Sequence, residues 1–254
     1  MTLVSVVVPS WNDAVMLRVC LAALAAQSRP ADEIIVVDNG STDDTAAVAR
    51  DAGATVVTEP RRGVWPATIA GFDAASGEII ARLDADSVPP PDWLARVEAT
   101  LTASGAPHES GTPSAVTGPG GFYGGNRFTR WVGEHVYIAG YFWFVGLLLG
   151  HPPLFGSNFA LRRTVWTSLR PHLDPALERI HDDLQLSFLL EPDVAVAYDP
   201  ALRVGVSARP FSSLRGLGRR VGWAALGLWH NRGRTRWFTV RDRRRGNTTR
   251  EGRG

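Results

Sequence analysis

Glu78-Ile-Ile-Ala-Arg-Leu-Asp84-Ala-Asp86-Ser-Val-Pro89 reads as a short apolar strand that runs out into two carboxylates. Alone, the Asp-x-Asp spacing is weak, because acidic surface turns produce it often. Its weight comes from what precedes it. Leu3-Val-Ser-Val-Val-Val8, Glu33-Ile-Ile-Val-Val-Asp38 and Ala54–Thr58 are earlier β-branched runs bounded by turn formers. Between the runs lie helical segments: Ala14–Gln27 capped by Asn12 or Asp13, a segment from Ser41 or Thr42 through Arg50 closed by Gly53, and Val64–Ala75 ended by Ser76-Gly77. The order β-α-β-α-β-α-β predicts a parallel sheet with helices on both faces. Ligands of such sheets sit beyond the carboxyl ends of the strands, where Pro9-Ser-Trp-Asn12, Asp38-Asn39 and Asp84-Ala85-Asp86 all fall. A carboxylate pair there suits a divalent ion and a phosphate-bearing ligand.

The 254 residues, 44% hydrophobic and 20% charged, suffice for one substantial core. The single cysteine, Cys20, excludes an internal disulfide, and its apolar helical surroundings assign it to the core. Redox chemistry is not indicated. The chain enters its first strand with no basic segment or cleavage site ahead of it, so a cytoplasmic location is expected. Every basic residue is Arg. Residues 1–210 carry 15 Arg against 23 acids, a net −8, whereas residues 211–254 carry 12 Arg against 2 acids, a net +10. A basic tail on an acidic body points either to an anionic partner, such as the inner face of a membrane, or to a disordered, solubilising end over 241–254.

No Gly-x-Gly-x-x-Gly follows the first strand and no Gly-Lys-Ser/Thr occurs, which disfavours a nicotinamide enzyme and a P-loop NTPase. Carboxylates with a metal remain as the means of holding a nucleoside diphosphate. The ordered series Val6-Val-Val-Pro-Ser-Trp-Asn12, Val37-Asp-Asn-Gly-Ser-Thr-Asp43, Gly77-Glu-Ile-Ile-Ala-Arg-Leu-Asp-Ala-Asp86 and Pro91-Asp-Trp-Leu94 resembles the nucleotide-sugar half of family 2 glycosyltransferases of the GT-A fold. Gly156-Ser-Asn-Phe-Ala-Leu-Arg-Arg163 resembles the segment that enters the acceptor half of that family. His181-Asp182-Asp183-Leu184-Gln-Leu-Ser187 is similar to its acidic pair, usually Glu-Asp. The likeness covers about residues 3–210.

The resemblance implies an α/β three-layer GT-A domain over residues 1–210, with a donor half at about 1–100, an acceptor half at about 115–210, and an Arg-rich helical extension over 211–254. It implies metal-assisted, inverting transfer of one sugar from a nucleoside diphosphate sugar to a hydroxyl acceptor, lipid-linked acceptors included, and no nucleic-acid partner. Asp86 would be the metal ligand, for Mg²⁺ or Mn²⁺, with Asp84 and Ala85 toward the ribose or metal-bound water. Pro9, Trp11, Asn12, Asp38, Asn39 and Arg62 would meet the nucleotide, Arg61 being equally a solvated charge. The family often has Asp-Asp where this chain has Asp38-Asn39, which opens the choice of nucleoside; Asn39-Gly40 is also a good turn on its own account. Asp183 would be the general base, with Asp182 as its neighbour and second candidate, although an Asp-Asp pair also favours a helix start. Asn158, Arg219 and Arg220 are candidate acceptor or phosphate contacts, and His230 is a weaker metal candidate. Two other classes fit parts of the pattern: a Rossmann-like nucleotidyltransferase, and a non-catalytic nucleotide-sugar or lipid-surface binding module.

Three segments carry further expectations. Ser104–Gly125, rich in Gly, Pro and Ser, reads as a mobile loop able to close over the donor. Trp131–Gly150 is apolar and aromatic, but its uninterrupted apolar core, Val136–Leu149, is about 14 residues, short of the roughly 20 a bilayer-spanning helix needs, so it reads either as a core helix or as a groove wall or interfacial segment touching acceptor or lipid. Residues 211–230 mix Arg215, Arg219 and Arg220 with Leu and Trp as a basic interfacial helix would, and lack Gln-x-x-Arg-Trp, so processive synthesis is not expected.

Overall fold

The computed structural model describes residues 2–103, 112–124, 130–131, 133, 138–174, 176–177, 180–209, 222, 226–227, 229 and 231. Its first half follows the alternation: β1 (Val4–Ser10), α1 (Ala14–Ala25), β2 (Glu33–Asp38), α2 (Thr45–Asp51), β3 (Thr55–Thr58), α3 (Val64–Ala74), β4 (Ile79–Arg82) and α4 (Trp93–Thr102). Next come β5 (Ala115–Thr117), β6 (Gly120–Tyr123), α5 (Ala139–Leu149), β7 (Phe159–Arg162), α6 (Arg163–Leu169), α7 (Asp182–Leu189), β8 (Val196–Tyr198) and β9 (Val204–Ser207).

β1 dictates the layering. Val4, Val6, Val7 and Val8 are all fully buried, so both faces of the strand must be covered. On one face Val4, Val6 and Val8 pack with Leu17, Cys20 and Leu24 of α1, Val48 of α2, and Trp93 and Val97 of α4. On the other, Val7 packs with Trp65, Ile69 and Phe72 of α3, Trp166 of α6 and Leu186 of α7. α3 lies close to the sheet because residue 71 is glycine; a β-carbon there would overlap Val7 and Val37. Cys20 is buried, and burial, with Asp86 and Asp84 behind it, pushes its thiol far above the usual range, in keeping with a core role.

The main sheet runs β3-β2-β1-β4-β7-β5-β8, with β6 and β9 forming a separate two-stranded ribbon. β1 is parallel to β2 and β4, and β2 to β3, whereas β7 is antiparallel to both of its neighbours. Pairing of Arg82 with Phe159 brings the chain entering β7 to the edge where β1, β2 and β4 end.

One expectation is corrected. The loop assigned to Ser104–Gly125 holds β5 and β6 in its second part, while residues 104–111 and 125 lie outside the described residues. The glycines there serve close packing: a β-carbon on Gly118 would strike the Leu202 carbonyl, and one on Gly120 would press on Ile138, Phe155 and Val206.

Candidate active site

Arg82 is the structural centre of the site. It is the last residue of β4, its side chain is 1% exposed, and Nη1 donates to Asp84 Oδ1 at 2.6 Å and to the Gly156 carbonyl. Nη2 pairs with Asp182 Oδ2 at 3.0 Å, an oxygen that also accepts the Thr68 hydroxyl at 2.6 Å. Burial opposes the guanidinium charge, but Asp182, Asp84 and Asp183 outweigh that penalty and keep it protonated. A strand that delivers carboxylates at its tip thus also supplies the cation that orders them.

Asp84 is fixed at both oxygens, since Oδ2 accepts the Ser157 hydroxyl while Oδ1 takes Arg82. Ala85 is buried between the two acids. Asp86 Oδ2 accepts Arg209 Nη2 at 3.0 Å, and its backbone carbonyl accepts the Tyr123 hydroxyl at 2.6 Å. Burial, then the neighbouring Asp84, push the Asp86 pKa up against the pull of Arg209. The position is one where a cation relieves an unfavourable charge.

Asp183, the second residue of α7, is half-buried, its Oδ2 accepting the Gly156 N–H at 2.8 Å and its Oδ1 the Leu184 N–H at 2.7 Å. Burial, then Asp182, raise its pKa above the ordinary aspartate range. Gly156 is needed at this junction, because a β-carbon would stand 2.9 Å from Arg82 Nη1 and 3.0 Å from Asp183 Oδ2.

The other strand ends form a shelf beside these acids. The Arg62 guanidinium lies over the exposed Trp11 ring, 3.8 Å from its centroid, and Nη1 donates to the Asn39 carbonyl at 3.1 Å. Asp38 Oδ1 accepts the Ser41 N–H at 3.0 Å. Asn12, with φ at +49°, accepts the Thr42 N–H on Oδ1 at 2.7 Å and so ties the first two strand-end loops together. Pro9, half-buried, lies within β1 opposite Val37. Among the described residues, no group of three or more His, Cys, Asp or Glu could hold a metal ion.

The family model described as Glycosyl transferase family 2 matches residues 5–165. The chain belongs to glycosyl transferase family 2. Among curated relatives of this family 2 chain, glycosyltransferase AglE of Haloferax volcanii is 34% identical over 110 residues, 40% of this chain and 36% of that protein. An uncharacterized glycosyltransferase of Mycobacterium tuberculosis is 49% identical over 83 residues, 33% of this chain and 36% of its own length. An undecaprenyl-phosphate 4-deoxy-4-formamido-L-arabinose transferase of Aeromonas hydrophila is 36% identical over 110 residues, 39% of this chain and 34% of that protein. The chain therefore spans about a third of the length of these relatives.

Two solved structures share the fold, which is the expected GT-A arrangement. The mannosyltransferase PcManGT of Pyrobaculum calidifontis, in complex with GDP-Man and Mn²⁺, superposes with a TM-score of 0.61 at 24% identity, over 80% of this chain and 56% of that one. Glucosyl-3-phosphoglycerate synthase of Mycobacterium tuberculosis, with Mn²⁺ and UDP-glucose, gives 0.59 at 25% identity, over 85% and 74%.

Within this family 2 site the structure gives three residues other work than the sequence suggested. Asn39 is buried, its Nδ2 donating to the Glu59 and Arg61 carbonyls at 2.8 and 2.6 Å and its Oδ1 accepting the Gly63 N–H at 2.8 Å, so its amide closes the loop before α3 instead of facing a base. Asn158 is fully buried, taking Trp93 Nε1 at 2.8 Å and donating to the Pro119 and Leu202 carbonyls, which leaves nothing for an acceptor. Asp182 is 3% exposed and held by Arg82 and Thr68, so only Asp183 of the pair retains access. Arg61 is clamped by Glu59 at 2.8 to 2.9 Å. Arg215, Arg219, Arg220 and His230 lie outside the described residues.

Sequence reading passed over Arg82, Ser157, Tyr123 and Arg209. Only Arg82 carried a signal: a charge inside the apolar run Ile79-Ile-Ala-Arg-Leu83 must find a buried counter-ion.

Proposed function

We propose that this chain transfers one sugar from a nucleoside diphosphate sugar to a hydroxyl acceptor by direct, inverting displacement. The observation that carries this reading is the Arg82 bridge, which joins Asp84 of the donor motif to Asp182, the immediate neighbour of Asp183. Donor-side and acceptor-side acids are thereby parts of one rigid unit, as in-line attack requires. The nucleoside would lie along Trp11, Arg62 and Asp38, with the ribose toward Asp84 and the Ala85 backbone. Asp86 would hold Mg²⁺ or Mn²⁺, together with diphosphate oxygens and water, the usual pattern for a small divalent ion with few protein carboxylates. When bound, the ion supplies Lewis-acid stabilisation of the leaving phosphate.

Asp183 takes the proton of the acceptor hydroxyl. Its two backbone N–H contacts set the carboxylate's direction, and its raised pKa improves it as a base near neutral pH. The 25% identical synthase solved with Mn²⁺ and UDP-glucose supports the donor class, and the undecaprenyl-phosphate relative supports an acceptor presented at a lipid surface.

Metal and nucleotide binding test the donor half. UDP or GDP at about a hundred times its Kd in the presence of Mn²⁺ is expected to stabilise the wild-type chain by about 3 kcal/mol, in thermal melts, over Mn²⁺ alone. Asp86→Ala is expected to lose the Mn²⁺-dependent part of that shift. An unaltered shift removes Asp86 from the metal site.

A peripheral lipid contact belongs to the same proposal. α5 contains no charged residue, and only Val145 and Leu149 of its side chains are buried, so Trp143, Phe144 and Leu147 face outward, Trp143 at 70% exposure. Trp143 and Leu147, with Phe142, His151, Pro152 and Tyr198, line an open groove of about 690 Å³. An uncharged, aromatic outer face followed in sequence by a net +10 segment matches the chemistry of an anionic lipid surface. Among the described residues no helix is long and apolar enough to cross a membrane. The double variant Trp143→Ser, Phe144→Ser is expected to weaken sedimentation with phosphatidylglycerol vesicles about tenfold, from the apolar area it removes. Equal sedimentation of both proteins excludes this face.

A further inference from the structure

Arg209 occupies the position where the reading above needs a metal. Its Nη1 donates to Asp13 Oδ1 at 2.8 Å, and its Nη2 to Asp86 Oδ2 at 3.0 Å and Asp13 Oδ2 at 3.3 Å. The residue is carried by the β6–β9 ribbon, which it follows directly. That ribbon is locked to the acid loop: Val88 and Gly205 exchange two backbone hydrogen bonds of 2.8 and 2.9 Å, and Tyr123, on the other strand of the ribbon, donates to the Asp86 carbonyl at 2.6 Å. The guanidinium itself is half exposed, on a flexible stem, and can leave Asp86 without unpairing a strand.

We infer that Arg209 is an exchangeable internal cation, which neutralises Asp86 and Asp13 in the empty site and moves onto the donor diphosphate when the metal takes Asp86. The inference rests on the metal and donor reading of Asp86. A guanidinium and a divalent ion on that one carboxylate, a few ångströms apart, repel, so each weakens the other's hold. Metal alone therefore binds against the repulsion of Arg209, with no compensating anion. Metal arriving with a diphosphate brings an anion that a planar, five-donor guanidinium can grip. Arg209 accordingly couples the two ligands: each is bound weakly alone and tightly together.

The test is Mn²⁺ affinity, read from the free-ion signal in electron paramagnetic resonance, with and without UDP or GDP in separate arms. For the wild type, nucleotide is expected to tighten Mn²⁺ binding at least tenfold. Arg209→Gln is expected to bind Mn²⁺ alone about tenfold more tightly than wild type, from removal of the repulsion, and to lose most of the tightening by nucleotide. Asp13→Asn, which loosens the hold on Arg209 while leaving the side chain present, is expected to improve binding of Mn²⁺ alone and to keep the nucleotide effect. Arg209→Gln with wild-type affinity for Mn²⁺ alone and wild-type coupling overturns the inference while Asp86 keeps its role. If Asp86→Ala binds Mn²⁺ as the wild type does, in both arms, the metal reading itself fails and the inference falls with it.

Discussion

Asp183→Asn is expected to lower turnover of the donor by about 10² to 10⁴ while leaving nucleotide affinity near the wild-type value, the scale on which a positioned base contributes. The amide is nearly isosteric, and its oxygen can still accept one of the two N–H groups that now reach Asp183 from Gly156 and Leu184. What it cannot do is take a proton. A matching pH signature accompanies the loss. Burial and Asp182 raise the folded-state pKa of Asp183, so the base is formed only above the ordinary aspartate range, and kcat/KM should rise with pH through that displaced value. The same shift means that the ionised form of Asp183 costs folding stability. That cost is absent below the unfolded pKa and is incurred as pH rises through the folded one, so the Asn variant should gain stability relative to wild type at neutral pH. A variant with normal turnover, or with the same acid limb, reassigns the base. Asp182→Asn is the control. Its carboxylate faces Arg82 and Thr68 inside the protein, so its loss should cost stability and, by removing the second cause of the raised Asp183 pKa, move the acid limb to lower pH without abolishing turnover.

Arg82→Met is expected to destabilise the fold by about 3–5 kcal/mol, because it strands the buried Asp182 carboxylate without its partner. For a chain of this size that corresponds to a fall in Tm of roughly 6–20 °C. The loss should be unevenly shared between the two acids. Asp84 is 39% exposed and keeps Ser157, whereas Asp182 is 4% exposed in its side chain and keeps only Thr68 among the contacts described above. The double variant Arg82→Met, Asp182→Asn should therefore recover a large part of the stability without recovering activity, since Asp84 and Gly156 remain without their guanidinium. Thermal melts of the single and double variants check the first point and donor turnover the second. A single variant that melts with the wild type removes Arg82 as the keystone of the site.

The first half of the chain was legible because its physics is repetitive. Runs such as Val4–Val8, polar only at Ser5, and Ile34–Val37 place apolar residues on both faces of a strand, which only a sheet covered on both faces tolerates, and Asn39-Gly40 and Ser76-Gly77 punctuate the strand-helix alternation. The later strands carry no such signal. β5 has three residues and β6 begins with two glycines, too little for any period to emerge, and glycines needed for contact distance look in sequence like those needed for flexibility. At the site, acids at strand ends could be found by type and place. Asn39 and Asn158 show the limit of that approach: an amide suited to a ligand is equally suited to backbone carbonyls, and burial decides between the two. Arg209 had no motif at all, since its partnership with Asp13 and Asp86 spans 196 and 123 residues of chain.

The reversed direction of β7 has a consequence for how such a scaffold can diversify. A parallel strand beside β4 would bring its own carboxyl end, and hence an exit, to the crevice; β7 instead brings an entrance, so Gly156 and Ser157 reach Asp183 and Asp84 from a segment that has already left the sheet and returned. Everything between β5 and β7 is an excursion with both ends anchored in adjacent strands, and lengthening it adds only a slowly growing closure entropy. The α5 groove thus lies in the middle of an excursion whose two ends, at Tyr123 and at Gly156 and Ser157, stay tied to the site acids. On the proposed reading, a different acceptor would be met by rewriting the middle of that excursion, with Tyr123, Gly156 and Ser157 kept against Asp86, Asp183 and Asp84.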